Sequence, residues 1–296
     1  MNKEIFLRMS SWSQLFFLLL FCFGGLIVGT LFVFAFAPVM GGMQSMNFMR
    51  VSQLIQSIFL FLVPAILCAF LFNENAKEYL KINKIINLKV LIYSVLLIIT
   101  IQPLISFTGY YNRMITLPES FTALEQAMQA MEDTAAALLE NLLADRSVHI
   151  IIFNVFIIAV VAGITEEFFF RGSLQQLVKK VCHNRHLAVW ITAFIFSFIH
   201  FQFYGFIPRM LLGALLGYIF LWSGNLWIPV IVHILNNAMS VTIYYKFHGT
   251  PAYDQLESFG TGSTVWATIA SVIVSGILFY LLSREYPRNN PEEFTI

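Results

Sequence analysis

Residues 165–171, Thr-Glu-Glu-Phe-Phe-Phe-Arg, end a long apolar run that begins at Ile150. An ionisable side chain at the depth of the bilayer core costs about 2.5–3.5 kcal/mol on insertion scales, so three such groups must face the protein interior and find partners. Glu167 and Arg171 are four residues apart, and on a helix this spacing pairs an acid with the base that follows it. Glu166 has an apolar residue at the same spacing, so its own helix offers no such partner. The residues that Glu166 meets on other helices therefore determine what this stretch does.

The composition is that of a polytopic membrane protein. Of 296 residues, 58% are hydrophobic and only 11% are charged, whereas soluble domains carry roughly 25% charged residues. A net charge of +1 without a long basic run gives no support to nucleic-acid binding. The three cysteines have neither the pattern of a disulfide framework nor the paired spacing of a zinc site.

Eight apolar stretches are long enough to cross a bilayer, which needs about 20 residues per helix. We therefore predict an all-α bundle of about eight transmembrane helices, the third of them kinked at Pro103. The predicted spans lie near residues 14–37, 52–72, 86–107, 148 to the mid-170s, 187–204, 208–223, 225–245 and 264–283. The chain divides on this basis into N-terminal helices with an outer segment (1–146), a core (147–246) and a last helix with a tail (247–296).

The distribution of basic residues predicts that both chain ends are cytoplasmic, because cytoplasmic loops carry the excess of Lys and Arg. With this orientation, 11 of the 17 basic residues lie inside: Lys3, Arg8, Lys77, Lys81, Lys84, Lys89, Lys179, Lys180, Arg185, Arg284 and Arg288. Five lie outside, namely Arg50, Arg113, Arg146, Arg209 and Lys246, and Arg171 lies within the bilayer. The protein is thus expected to be multi-pass, in the plasma membrane if the source is bacterial.

Residues 117–146 predict an amphipathic helix on the outer face of the membrane. Pro118 suits a first helical turn. Apolar side chains recur at intervals of three and four residues, namely Leu124, Met128, Met131, Ala135, Leu138 and Leu142. Two roles are open for this helix: a cap packed over the bundle, or a lid that controls substrate entry.

The later spans contain few polar side chains, and these fall at similar depths. The fifth span carries His200, and the seventh carries His233 with Asn236 and Asn237. Counting from the helix ends at 1.5 Å per residue places Glu166, these histidines and Asn237 about 12–21 Å into the membrane. Three helices can therefore bring an acid, two imidazoles and an amide to one level.

This set of side chains is suited to activating water. A carboxylate such as Glu166 can remove a proton from water as it attacks a carbonyl group, and His233 with Asn237 could stabilise the oxyanion that forms. Glu166, His200 and His233 are also a plausible zinc ligand set with an open fourth position. The structural alternative is that the histidines only join helices and that Glu167 and Arg171 only form an ion pair. Gly213-x-x-x-Gly217 predicts a packing face without chemistry.

Three polar motifs follow one another on consecutive apolar segments: E-E-x-x-x-R at 166–171, F-x-x-x-H at 196–200 and H-x-x-x-N at 233–237. Their order resembles the CPBP family of intramembrane proteases, which includes the CAAX prenyl endoproteases and the bacterial Abi proteins. The resemblance covers roughly residues 150–245. Each motif alone is weakly specific, but three in order at bilayer depth are a strong signal.

The resemblance implies a role for each matching residue. Glu166 would activate water, His200 would help to hold it, His233 and Asn237 would stabilise the oxyanion, and Glu167 and Arg171 would be supporting. It implies a glutamate-based mechanism without an obligatory metal. The alternative is a Zn²⁺ ion bound by Glu166, His200 and His233. The expected partners are a protein or peptide substrate, which could be membrane-anchored and prenylated, and the lipid bilayer.

Three classes of function remain open. The leading prediction is an intramembrane endopeptidase that resembles CAAX proteases and uses a water molecule activated by Glu and His. The first alternative is a non-catalytic bacteriocin-immunity or scaffold protein, since some family members have such roles. The second is a proton-coupled transporter, because acids and histidines also form proton relays. A transporter would be expected to show inverted repeats, and the sequence contains no such internal symmetry.

Overall fold

The computed structural model describes residues 3–285, and every regular element in this part of the chain is a helix. The predicted all-α class is confirmed. Arg288 and the polar tail around it lie outside the described residues. The α-helices are α1 (Lys3–Leu7), α2 (Ser11–Phe36), α3 (Met46–Ser57), α4 (Val63–Phe72), α5 (Ala76–Tyr79), α6 (Leu88–Thr100), α7 (Gln102–Arg113), α8 (Thr122–Leu143), α9 (Val148–Val155), α10 (Ala162–Phe169), α11 (Gln175–Cys182), α12 (Arg185–Phe198), α13 (Phe206–Ser223), α14 (Trp227–Phe247), α15 (Pro251–Glu257) and α16 (Val265–Ser283).

Short π-helical segments join several of these helices into longer ones. They are Ile58–Leu62, Phe156–Val161 and Phe170–Leu174. Tighter 3₁₀ turns occur at Ala37–Met40, Glu119–Phe121, Phe203–Gly205 and Gly262–Thr264.

Six helices in the described part of the chain are long and apolar enough to cross a membrane. They are Ser11–Met40, Met46–Phe72, Val148–Cys182, Phe203–Ser223, Trp227–Phe247 and Gly262–Ser283. Helices α6 and α7 together make a seventh. The protein is therefore an integral multi-pass membrane protein, roughly consistent with the predicted number of eight spans.

The third span is bent, as the sequence predicts. Helices α6 and α7 meet at an angle of 41°, and Pro103 lies in the first turn of α7. Proline has no backbone N–H and its ring clashes with the carbonyl group one turn earlier, so it breaks the helical hydrogen-bond ladder. The predicted kink at Pro103 is confirmed.

The fifth predicted span, residues 187–204, is shorter in the structure. Helix α12 has 14 residues and ends at Phe198, so His200 lies in the turn that follows rather than within a helix. Phe201 has a φ of 52°, in the left-handed region. A continuing α-helix cannot contain this conformation, and the chain changes direction here.

The chain forms two compact units, each assembled from three separate stretches. The first comprises Met1–Ile86, Leu142–Val189 and Asn225–Val241. The second comprises Asn87–Asn141, Trp190–Gly224 and Thr242–Ile296. The division at residues 146 and 246 remains a prediction from the sequence.

Close helix packing in each unit depends on a glycine. In the first unit, a Cβ atom on Gly25 would overlap the carbonyl oxygen of Phe59, in the π-helical segment Ile58–Leu62. In the second, a Cβ atom on Gly213 would lie 3.1 Å from the Phe196 ring and 3.3 Å from Ala193. Gly213 therefore lies at a close helix–helix contact, as its small-residue motif predicts.

Candidate functional site

The acidic pair lies on α10, a short helix with a π-helical segment at each end. Together with α9 and α11 these segments make the apolar helix Val148–Cys182, which has 35 residues. A π-helical segment inserts an extra residue into a turn and therefore changes which side chains face inward, and such segments occur frequently at functional sites. Glu167 is completely buried, whereas the side chain of Glu166 is 15% exposed. The two neighbouring carboxylates thus lie in different environments.

Glu167 forms the ion pair that the sequence predicts. Arg171 donates a hydrogen bond from Nη1 to Glu167 Oε1 over 2.6 Å. Both side chains are 0% exposed. A buried charge without a partner is strongly unfavourable, so the pair makes both residues tolerable within the membrane helix.

His233, on α14, contacts both carboxylates. Its Nδ1 lies 2.8 Å from Glu167 Oε1, and its Nε2 lies 3.8 Å from Glu166 Oε2. An ionised carboxylate only accepts hydrogen bonds. His233 Nδ1 therefore carries the ring proton and donates a hydrogen bond to Glu167. This bond fixes the ring with Nε2 towards Glu166. The sequence did not predict that Glu167 would be shared by Arg171 and His233, because no local spacing relates positions 66 residues apart.

Asn237 lies one turn after His233 on α14. Its Nδ2 donates a hydrogen bond to the carbonyl oxygen of Ile158 over 3.1 Å, and its Oδ1 accepts one from Asn236 over 3.3 Å. Ile158 belongs to the π-helical segment Phe156–Val161. Asn237 thus joins α14 to the helix that carries the acids, and the second N–H of its amide group is available to another acceptor.

Gly163 lets α10 and α14 approach closely enough for the contact between His233 and Glu167. A Cβ atom at position 163 would lie 2.7 Å from Ile234 Cγ1 and 3.2 Å from its backbone nitrogen. Real Cβ contacts under 3.0 Å are essentially never seen. Any side chain at position 163 must therefore move α14 away from α10.

We expect Gly163→Ala to lower both stability and activity. Overpacking of this kind costs about 1–3 kcal/mol in the free energy of unfolding, and moving α14 lengthens the distance from His233 to Glu167. Thermal unfolding in detergent and the rate of substrate cleavage measure the two effects. Gly24→Ala is the matched control, because nothing lies within 4 Å of a Cβ atom there. Equal behaviour of the two variants would contradict the role given to Gly163.

His200 belongs to the second compact unit, and its part in the site remains a prediction. Within that unit its Nδ1 lies 2.7 Å from the carbonyl oxygen of Phe196, so Nδ1 donates this hydrogen bond. The next residue, Phe201, has a left-handed φ. This conformation costs a bulky residue about 1–3 kcal/mol and persists only where the surrounding structure imposes it.

Asn112, on α7, holds this turn, and sequence reasoning missed it. It is buried on α7, donates a hydrogen bond to the Phe203 carbonyl oxygen over 3.0 Å, and accepts one from the Ile207 N–H over 2.7 Å. A single buried amide therefore holds the chain just after His200 at two points. The sequence feature that could have identified Asn112 is its position as a polar residue near the end of an apolar span.

We expect Asn112→Ala to release this turn. Removing the amide leaves the Phe203 carbonyl oxygen and the Ile207 N–H without their partner, which costs about 1–3 kcal/mol in the free energy of unfolding. The cleavage rate should fall with KM nearly unchanged. Asn141→Ala, at an exposed position, is the control and should behave like the unsubstituted protein. A cleavage rate unchanged by Asn112→Ala would show that the turn does not position a reacting group.

Metal binding was the alternative use of these side chains. Among residues 3–285, no group of three or more His, Cys, Asp or Glu side chains is arranged to hold a metal ion. The zinc alternative, which combines Glu166, His200 and His233, remains a prediction from the sequence.

The fold and the site together define a class of protein: a multi-pass membrane protein with an acid–imidazole site among its helices. Comparison with known proteins then finds a family to which the central region is similar. Residues 148–239 match the family described as type II CAAX prenyl endopeptidase Rce1-like. This agrees with the family that the three motifs resemble, and the matched region includes Glu166, His200, His233 and Asn237.

The chain is also similar to the uncharacterized protein YpbD of Bacillus subtilis (strain 168). The two are 31% identical over 104 residues, which cover 34% of this chain and 48% of that protein. The chain thus spans about half of the length of this relative. No solved structure matches the chain.

Proposed function

We propose that the protein is an intramembrane endopeptidase in which Glu166 activates the water that attacks a peptide bond. The observation that carries this proposal is the arrangement of His233, which contacts Glu167 through Nδ1 and faces Glu166 with Nε2. The Rce1-like match of the same region supports peptidase chemistry.

The two carboxylates have separate roles in this proposal. Glu167 is buried and committed to Arg171 and His233, so it acts as a support. Glu166 is partly exposed, and a general base must be within reach of its water molecule. Glu166 is therefore the base.

The reaction proceeds by addition and elimination. Glu166 takes a proton from water, the water oxygen bonds to the carbonyl carbon, and the electron pair of the C=O bond moves onto oxygen. When the C–N bond breaks, this pair re-forms the carbonyl group and the leaving nitrogen takes up a proton from Glu166, directly or through His233 Nε2. The free N–H of Asn237 stabilises the oxyanion, and His200, assigned by its motif, holds the water.

The substrate in this proposal is a protein or peptide presented at the membrane. The name of the matched family makes a prenylated CAAX peptide the first candidate to test. We propose both chain ends to be cytoplasmic, following the distribution of basic residues.

A cleavage assay with the purified protein in liposomes tests the function. A farnesylated CAAX peptide and the same peptide without the lipid are incubated with the protein, and the products are identified by mass spectrometry. Cleavage that depends on Glu166 supports the proposal. Cleavage by Glu166→Gln at the unsubstituted rate would overturn the assignment of the base.

A non-catalytic scaffold is the second candidate, and the complete burial of Glu167 and Arg171 fits it as well. Such a scaffold needs the buried ion pair but has no use for Glu166. Biological activity that survives Glu166→Gln but is lost with Arg171→Met would favour the scaffold. Proton flux into liposomes that requires Glu166 would instead favour a transporter.

A further inference from the structure

The loop between α4 and α6 contacts both helices of the acid–imidazole site. This loop, residues 73–86, contains the short helix α5 and is called the brace loop here. The loop, the helix that carries the acids and the first part of α14 all belong to the first compact unit. Tyr79 and Leu80 in the middle of the loop are buried. The brace loop is therefore packed against this unit.

One side of the brace loop is joined to the helix that carries the acids. Gln176, on α11, donates hydrogen bonds from Nε2 to the carbonyl oxygens of Tyr79 and Gly172 over 2.8 and 2.6 Å. Gly172 directly follows Arg171 in the chain. A Cβ atom on Gly172 would lie 2.9 Å from Leu80 Cδ2. The loop thus meets the acid-bearing helix next to the buried ion pair.

The other side of the brace loop holds the start of α14. The Leu226 N–H donates a hydrogen bond to the Lys81 carbonyl oxygen over 3.0 Å, and Asn225 Nδ2 donates one to the Lys84 carbonyl oxygen over 2.8 Å. Asn225 Oδ1 accepts a hydrogen bond from the N–H of Trp227, the first residue of α14, over 2.9 Å. Because the first N–H groups of a helix have no partner within it, these bonds stabilise the beginning of α14.

The position of His233 depends on where α14 begins. His233 follows Leu226 by seven residues, which is about 10 Å along a helix. A displacement at the start of the helix is carried over this distance to the imidazole ring. The hydrogen bond from His233 Nδ1 to Glu167 Oε1 is 2.8 Å long, and such a bond is lost beyond about 3.5 Å, so a movement of about 0.7 Å breaks it.

The close approach at Gly163 does not fix this position by itself. The contact between Gly163 and Ile234 limits how near α10 and α14 can come, but a steric limit sets neither the rotation of α14 nor its place along its own axis. Hydrogen bonds have a preferred direction as well as a length. Those that Asn225 and Leu226 form with the brace loop define both quantities.

We propose that the brace loop positions His233 against the acids, with Asn225 and Gln176 as positioning residues. Their importance for peptide cleavage rests on the proposed function. Gln176 fixes the loop to the helix of Glu166 and Glu167, and Asn225 fixes the same loop to the helix of His233. Both residues act through His233 rather than on the substrate. The loop thereby holds the acids and the imidazole in register.

Histidine NMR of the full-length protein in detergent, without substrate, tests the geometry. A proton in a hydrogen bond from imidazole to carboxylate resonates at low field, and His233→Gln identifies the Nδ1–H signal by removing it. Asn225→Asp keeps the oxygen that accepts from Trp227 but removes the donor to Lys84. The His233 signal should therefore shift upfield or disappear in this variant.

Asn184→Asp is the matched control. Its side-chain oxygen also accepts backbone N–H groups at the start of a helix, α12, but at an exposed position. This variant should leave the His233 signal unchanged. An unchanged signal in Asn225→Asp, or the same shift in both variants, would overturn the proposal.

A second variant acts on the opposite side of the brace loop. Gln176→Met keeps much of the side-chain length but removes the donor to Tyr79, so it should shift the His233 signal in the same direction. It decides the question if Asn225→Asp fails to fold, and an unchanged signal would overturn the proposal. In the unsubstituted protein, the Leu226 N–H should exchange slowly with deuterated water; rapid exchange would show that the loop does not hold α14.

Cleavage kinetics separate this inference from the proposed function. Asn225→Asp and Gln176→Met should lower kcat by up to about 10²-fold with KM nearly unchanged, because a misplaced catalytic group slows the chemical step. An unchanged kcat in both variants would overturn their positioning role. A protein that cleaves no peptide but shows the expected NMR shifts would contradict the proposed function and still support the effect of the brace loop on His233.

Discussion

Replacing Arg171 with methionine is expected to lower the free energy of unfolding by about 3–5 kcal/mol, the usual cost of breaking a buried ion pair from one side. Glu167 would be left fully buried, with its contact to His233 but without its cationic partner. Methionine keeps much of the length of the side chain, so the loss reports on charge more than on volume. Thermal unfolding in detergent, followed by circular dichroism, measures it.

Two further variants make this prediction specific. Arg146→Met removes an exposed arginine and should change stability by no more than about 0.5 kcal/mol. The double variant Glu167→Gln with Arg171→Met removes both charges, so it should be more stable than the sum of the two single effects predicts. An Arg171→Met protein as stable as Arg146→Met would show that the pair does not hold the bundle together.

Replacing Glu166 with glutamine is expected to slow substrate cleavage by about 10²–10⁴-fold, the usual contribution of a general base. Glutamine has nearly the same size but cannot take a proton from water. Because Glu166 is partly exposed, the free energy of unfolding should change by less than about 0.5 kcal/mol. The rate is measured under single-turnover conditions with the peptide that the unsubstituted protein cleaves.

Glu74→Gln is the control for this variant, since it makes the same chemical change at an exposed position outside the membrane spans. It should cleave at the unsubstituted rate. A loss of activity in Glu166→Gln accompanied by a large drop in melting temperature would mean that Glu166 is structural.

Much of the fold follows from local features of the sequence. Long apolar runs predict membrane helices because the bilayer core leaves backbone groups no other partners. The bend at Pro103 and the ion pair between Glu167 and Arg171 were also predictable, since each depends on residues within one or two helical turns.

The geometry of the site depends on contacts between distant parts of the chain. No spacing rule links Glu167 to His233, and their contact requires the close approach of α10 and α14 at Gly163. The π-helical segments around α10 shift which residues face inward, and an ideal helical period does not reveal them. The early end of α12 depends on Phe201, whose left-handed conformation is disfavoured by its own side chain.

The most direct test of the central claim is a comparison of Glu166→Gln and Glu167→Gln, with cleavage rate and melting temperature measured on the same preparations. Glu166→Gln should fold like the unsubstituted protein but lose cleavage. Glu167→Gln should melt at a clearly lower temperature, because Arg171 is left buried without its carboxylate. A stable Glu167→Gln protein, together with a Glu166→Gln protein that still cleaves its substrate, would contradict the account.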